Sequence, residues 1–204
     1  MLGLIPAENW EYSLGDVFAG VISAISAGDE EHNTINIDGI GSCIPTRSAR
    51  AAIHTAIKAL NLAPGARIGV PLYCCPVVFK AVESVGCTHC FIDIDLATYC
   101  MSSEDLALKQ NNLDAVIAVH MFGNTCDMPA LINVAQGKPI IEDCAQSLGS
   151  KINDSMTGTF GTIAAFSFRS GKYLTVGEGG ALFSTQQNMI AILSDAISKL
   201  PVPG

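Results

Sequence analysis

The sequence predicts an α/β protein, a three-layer sandwich built around a mainly parallel sheet of about seven strands. Three observations predict it. Short runs rich in Val, Ile, Ala and Phe recur along the chain, apolar without alternation, as strands covered on both faces must be. Between them lie segments with apolar residues at helical spacing, capped by Ser, Asp or Pro. Finally, 49% of the 204 residues are hydrophobic and only 15% charged, enough to fill a core on both sides of a sheet.

The elements follow in order. A helical region is expected at about 13–27, then a short apolar strand at SCIPT (42–46). The segment SARAAIHTAIKALNL (48–62) reads as a helix with Ser48 as N-cap, closed by Pro64-Gly65. Strand ARIGVPL (66–72), helix PVVFKAVESVG (76–86) and strand THCFIDID (88–95) come next. SSEDLALKQ (102–110) opens a helix, LDAVIAVHMF (113–122) is a strand, DMPALINVAQG (127–137) a helix and KPIIEDC (138–144) a strand. TIAAFSF (162–168) and GGALFST (179–185) are two more strands, and a last helix begins near Gln187. No internal repeat or low-complexity segment interrupts the alternation. Residues 1–204 are thus expected to form one domain.

Charge and composition exclude several classes. A formal net charge of −8 argues against binding a nucleic-acid backbone, which calls for a clustered basic surface. No apolar run approaches the roughly 18 residues of a membrane span, and MLGLIPAENWEYSLGD lacks the basic and apolar regions of a signal peptide. Eight cysteines sit mostly in apolar segments, and only Cys87 and Cys90 share CxxC spacing, without a second pair. All eight are therefore expected to be reduced, buried thiols in a cytoplasmic protein, with no metal.

In parallel α/β sheets, ligands bind beyond the carboxyl ends of the strands. Ser48 follows the first strand, Tyr73 and Cys75 the second, His120 the fourth, Asp143 and Gln146 the fifth, Ser167 and Lys172 the sixth. An anion site, an acid, an amide, a hydroxyl and an amine converge on one rim. That set suits pyridoxal 5'-phosphate, which has a phosphate, a basic ring nitrogen, a phenolic oxygen and an aldehyde.

The motifs IIEDCAQSLG and GTFGTIAAFSFRSGKYLTVGEGGALFS also resemble the DegT/DnrJ/EryC1/StrS family of pyridoxal-phosphate-dependent sugar aminotransferases, of the aspartate-aminotransferase fold. AIHTAIKALNLAPGARIGVP, FIDIDLATYCMSSEDL and VIAVHMFGNTCDM support the likeness in the same order, from about Ser42 to Ser184. The resemblance implies that Lys172 is the Schiff-base lysine and Asp143 the partner of the ring nitrogen. It also implies that Ala145 packs beneath the ring, Gln146 bonds the phenolic oxygen, and Ser167 bonds the phosphate. Ser48, Ala49 and Arg50 occupy the family's phosphate loop at a helix N-terminus, with Arg50 either on the phosphate or in solvent. His120 is either a satisfied structural histidine or a contact, and Glu178 of the GEGG turn is read as structural. Small residues beside Lys172 and the glycines of that turn let the amine approach closely.

Two departures from the family stand out. Where the family sets an aromatic over the ring, this chain has Cys75, with Tyr73 two positions earlier; either Tyr73 swings in or the thiol covers the ring. The family's small C-terminal domain is expected to be absent, so that 1–204 is the large cofactor-binding domain. The resemblance implies an aminotransferase that moves an amino group, from glutamate, to a keto sugar nucleotide, working as a homodimer. The alternatives are a catalytically incomplete, cofactor-binding or dimerising remnant, and a redox or metal-sensing cysteine protein.

Overall fold

A computed structural model of the chain describes residues 34–200, together with Gly15 and Phe18. The helix expected at about 13–27 otherwise falls outside the described residues. The strands are β1 (Ile35–Ile37), β2 (Gly41–Thr46), β3 (Arg67–Pro71), β4 (Thr88–Ile92), β5 (Ala115–Val119), β6 (Ile140–Asp143), β7 (Lys151–Ile152), β8 (Ser155–Met156), β9 (Ile163–Ser167) and β10 (Gly180–Phe183). The helices are α1 (Ala49–Ala59), α2 (Pro76–Ser84), α3 (Ser103–Lys109), α4 (Met128–Ala135) and α5 (Gln187–Ser198).

The main sheet has eight described strands in the order β1-β2-β10-β9-β6-β5-β3-β4, where the sequence suggested about seven. The extra strand is β1, a three-residue edge piece that pairs antiparallel with β2 across a glycine-containing turn. Strands β4, β3, β5, β6 and β9 run parallel. β10 lies antiparallel between β9 and β2, so β2 points the same way as β9. β7 and β8 form a separate two-stranded hairpin that composition did not reveal. Several strands are shorter than the apolar runs: the run to Phe122 leaves the sheet after Val119, because Phe122 and Gly123 both take positive φ and turn the chain.

Burial follows from the pattern. β5, β6 and β9 are buried at every position, as strands covered on both faces must be. Helix α1 lays Ala52, Ile53, Ala56 and Ile57 into the core and crosses the middle of the sheet against β6, β9 and β10. Its start is set by Ser48, whose Oγ accepts the Ala51 N–H at 3.2 Å. α3 and α4 are capped likewise by Ser102 and Asp127.

All eight cysteines are free, but the expectation that all are buried fails. Cys75 is exposed and Cys74, Cys87 and Cys90 are half-buried. Cys75 lies where the chain leaves the sheet to begin α2, a position the run of apolar neighbours disguises.

Candidate functional site

The sheet brings the ends of five segments to one rim. Register places Asp143 level with Val119 on one side and with Ala165 on the other. Gly180 is paired with Ser167 across β9 and with Thr46 across β2, so Ser167 and the start of α1 flank the same glycine. A cavity of about 380 Å3 opens here, within the usual range for small-molecule sites. Its walls include Ser48, Ala49, Arg50, Cys75, Asp143, Ala145, Gln146, Ser167 and Lys172, as well as His120 and Glu178.

Asp143 ends β6 with its side chain buried, 4% exposed. Its Oδ1 accepts one N–H, that of Ala145 at 3.0 Å. Burial raises its pKa above the ordinary carboxylate value, and the Ala145 N–H, Lys172 and His120 only partly counter this. Such a carboxylate is suited to a cationic partner. Gln146 presents its carbonyl to the Phe122 N–H at 3.3 Å, which leaves its NH2 group turned towards Met121 Sδ, 3.6 Å away.

Lys172 occupies a bend between β9 and β10 and is half-buried. The loop is tied across its neck: Phe168 N–H donates to the Gly179 carbonyl, Ser170 N–H to Gly177, and Val176 N–H to Phe168. Gly171 takes φ +81 beside the lysine. Burial lowers the pKa of Lys172, Arg169 lowers it further, and Asp143 and Cys75 oppose the shift. The amine therefore sheds its proton more readily than a surface lysine, which is what a nucleophilic amine requires.

The GEGG turn does more than leave room for the lysine. A Cβ on Gly180 would stand 2.6 Å from Ala49 N, 2.6 Å from the Ser48 carbonyl carbon and 2.7 Å from the Phe166 oxygen. All three are backbone atoms, so only glycine lets β10 pass this close to the first turn of α1. The glycine thus fixes the spacing between the helix N-terminus and the strand that ends at Ser167.

Sequence reasoning missed two arginines. Arg47 and Arg169 line the cavity beside Arg50 and Lys172, which concentrates positive charge in a chain of net charge −8. Each directly follows a strand, Arg47 after SCIPT and Arg169 after TIAAFSF, so the strand-end rule that singled out Ser48 and Lys172 could have found them. Tyr73 is not among the residues lining the cavity. Its ring lies 5.9 Å from Tyr99 and 6.3 Å from Phe122, in an exposed aromatic cluster, and Cys75 takes the cavity wall instead.

His120, left open by the sequence, is held by the protein on both ring nitrogens. Cys126 N–H donates to Nδ1 at 3.0 Å, so Nδ1 carries no proton, and Nε2–H donates to Glu142 Oε2 at 3.1 Å. Glu142 Oε2 also accepts from Gly158 N–H, and Oε1 from Phe160 and Gly161 N–H. His120, Glu142 and Cys144 bring three donor atoms within 4.8 Å of one another, a metal-like grouping. The hydrogen bonds argue against one: the nitrogen facing Glu142 carries the proton, the carboxylate is saturated by N–H groups, and burial holds the Cys144 thiol well above its ordinary pKa.

A family model described as the DegT/DnrJ/EryC1/StrS aminotransferase family matches residues 31–196. Over 141 residues the chain is 36% identical to GDP-perosamine synthase of Escherichia coli O157:H7, covering 68% of this chain and 39% of that protein. It is 33% identical over 163 residues to UDP-N-acetyl-3-dehydro-alpha-D-glucosamine 3-aminotransferase of Acidithiobacillus ferrooxidans, covering 78% of this chain and 44% of the relative. The chain thus spans less than half the length of these relatives. In fold it matches a Streptococcus pneumoniae protein solved in its PLP-form, with a TM-score of 0.82 at 19% identity over 95% of this chain and 57% of that one.

Proposed function

This chain belongs to the DegT/DnrJ/EryC1/StrS aminotransferase family, and from that membership we propose that it holds pyridoxal 5'-phosphate at the sheet rim and moves an amino group from glutamate to a keto sugar nucleotide. The observation that carries the reading is the shared cavity. A buried carboxylate with one protein N–H donor, a half-buried lysine of lowered pKa and a helix N-terminus all open onto it.

These residues fit the cofactor group by group. Asp143 would hold the proton on the ring nitrogen, relieving the cost of its own burial. The Gln146 NH2 would donate to the phenolic oxygen. The first N–H groups of α1, the Ser167 hydroxyl and the guanidinium of Arg50, Arg47 or Arg169 would bind the phosphate. Ala145 would pack flat against the ring, with Cys75 in place of an aromatic on the other side. When bound, the cofactor supplies an aldehyde that takes up amino groups and a ring that draws off electrons. Lys172 would anchor the aldehyde and carry protons to and from the reacting carbon. His120, clamped to Glu142 and Cys126, serves as a fixed wall rather than an acid or base.

A keto sugar nucleotide as acceptor is supported by the names of two relatives, a perosamine synthase and a UDP-sugar aminotransferase. Leu72, Tyr73, Phe122, Tyr173 and Val176, each within three positions of a residue that lines the cavity, are exposed, and these apolar groups support a homodimer in which a second copy covers them. The free cysteines support a reducing, cytoplasmic setting.

Titrating the full chain with pyridoxal phosphate tests the reading. A long-wavelength absorbance band should appear, and borohydride should trap one cofactor per chain by mass, with both signals lost in Lys172→Met. Glutamate should then bleach the band and a keto sugar nucleotide restore it. No cofactor uptake, or uptake indifferent to Lys172→Met, would overturn the proposal. Uptake without any response to glutamate would leave a cofactor-binding role alone.

A further inference from the structure

Two thiols that do not line the rim cavity face each other. Cys100 lies in the loop between β4 and α3, and Cys126 in the loop between β5 and α4. Each is 1% exposed. The loops are tied together here: Asn124 Nδ2 donates to the Thr98 carbonyl at 3.0 Å, and the Tyr99 and Phe122 rings meet edge to face with centroids 6.0 Å apart. The Cys100 thiol lies 3.7 Å from the Asn124 carbonyl, and the Cys126 thiol 3.3 Å from that of Val119. The contacts also cross between loops. Cys100 Sγ accepts from the Met121 N–H, Cys126 Sγ from the Met101 N–H, and the two thiols are hydrogen-bonded to each other. The four buried thiols are not alike. Burial pushes Cys43 up to about 12 and Cys144 well above the ordinary value, and the bond to Cys100 raises Cys126. Cys100 is lowered instead: its bond with Cys126 outweighs its burial, and the Met121 N–H, His120 and Thr98 add to the effect. The pair therefore sets a nucleophilic thiolate against a thiol that donates to it.

We propose that Cys100 and Cys126 are a modification site for peroxide, at which they close a reversible disulfide between the two loops. Cys100 Sγ attacks one oxygen of hydrogen peroxide and the O–O bond breaks, giving a sulfenic acid and a hydroxide that takes up the proton Cys100 has shed. Cys126 Sγ then attacks that sulfur. The S–S bond forms, and the sulfenic hydroxyl leaves with the Cys126 proton as water. Two thiols are oxidised, one peroxide is reduced, and two waters result. Peroxide is small enough to reach sulfurs whose chain neighbours, Tyr99 and Asp127, are exposed. Both cysteines sit in loops rather than in a strand or helix, so the backbone can yield the last part of the approach that the bond requires. The site asks nothing of the rim cavity and goes beyond the transamination reading.

The test treats the full, folded chain with hydrogen peroxide, then denatures it, alkylates the remaining thiols and maps the peptides. Cys100 should be found joined to Cys126, and dithiothreitol should free both. Cys100 should escape alkylation at least about tenfold faster than Cys43, whose burial holds it protonated. In Cys126→Ser no link should form, and Cys100 should pass on to sulfinic acid, which dithiothreitol does not reverse. The map of the unaltered chain decides the matter should that variant fold poorly. A link that joins another pair of cysteines first, or a Cys100 that stays fully alkylated after treatment, overturns the proposal. So does protection that a chelator removes without a reductant, because it would mark a bound thiophilic metal instead of a disulfide. Pyridoxal phosphate plays no part in these readouts, so a failure of the transamination reading leaves them untouched.

Discussion

Glu142 and Asp143 are consecutive buried acids on β6, yet the protein treats them in opposite ways. Successive strand residues point to opposite faces, so each acid meets a different neighbourhood. Glu142 accepts from four N–H donors, those of Gly158, Phe160, Gly161 and His120. Asp143 accepts from one and faces a cavity. A buried carboxylate saturated by fixed donors is part of the scaffold, because its charge is already compensated. One left short of donors keeps an unmet electrostatic demand, which a cationic ligand can satisfy. Counting donors separates the two roles where residue type and burial cannot.

Removing Glu142 should give the largest effect. Glu142→Ala leaves four donors, two of them fully buried, without an acceptor and frees the His120 ring, so unfolding in urea should show a loss of roughly 3–5 kcal/mol. A loss below about 1 kcal/mol would dissolve the distinction between the two acids. Gly180→Ala comes next, since its Cβ would meet three backbone atoms at 2.7 Å or less. It should cost about 1–3 kcal/mol and weaken pyridoxal phosphate uptake, because strand and helix N-terminus must move apart. Ser48→Ala should cost about 1 kcal/mol by removing the acceptor for the Ala51 N–H.

Asp143→Asn should barely alter stability but should reverse sign relative to Glu142→Ala. Burial raises the Asp143 pKa in the folded state, so folding favours its protonated form. Its contribution is fully present below the ordinary carboxylate range and is lost as pH rises through the raised value. The melting temperature of Asp143→Asn, measured across pH without cofactor, should therefore match the parent in acid and exceed it above that window. Cofactor uptake should weaken in the same variant. A variant less stable than the parent at neutral pH would place Asp143 with Glu142 as scaffold.

The amino-acid sequence alone determined the α/β alternation, because strands buried on both faces must be apolar throughout and helices must alternate with them to cover the sheet. It also placed Ser48, Asp143, Ser167 and Lys172 at or just after recognisable apolar runs, and all four line one cavity. Short elements with little apolar signature stayed illegible, notably β1 and the β7–β8 hairpin, whose pairing depends on partners elsewhere. Only the tertiary structure decided that Arg47 and Arg169 join the rim, that Tyr73 turns to Tyr99 and Phe122, and that Gly180 sets the distance from β10 to α1. It also decided His120, whose two ring bonds reach residues 6 and 22 positions away. The physical reason is the same in each case. Local sequence fixes backbone preference and burial pattern, whereas charge convergence, ring orientation and donor count arise from atoms distant in the chain and close in space.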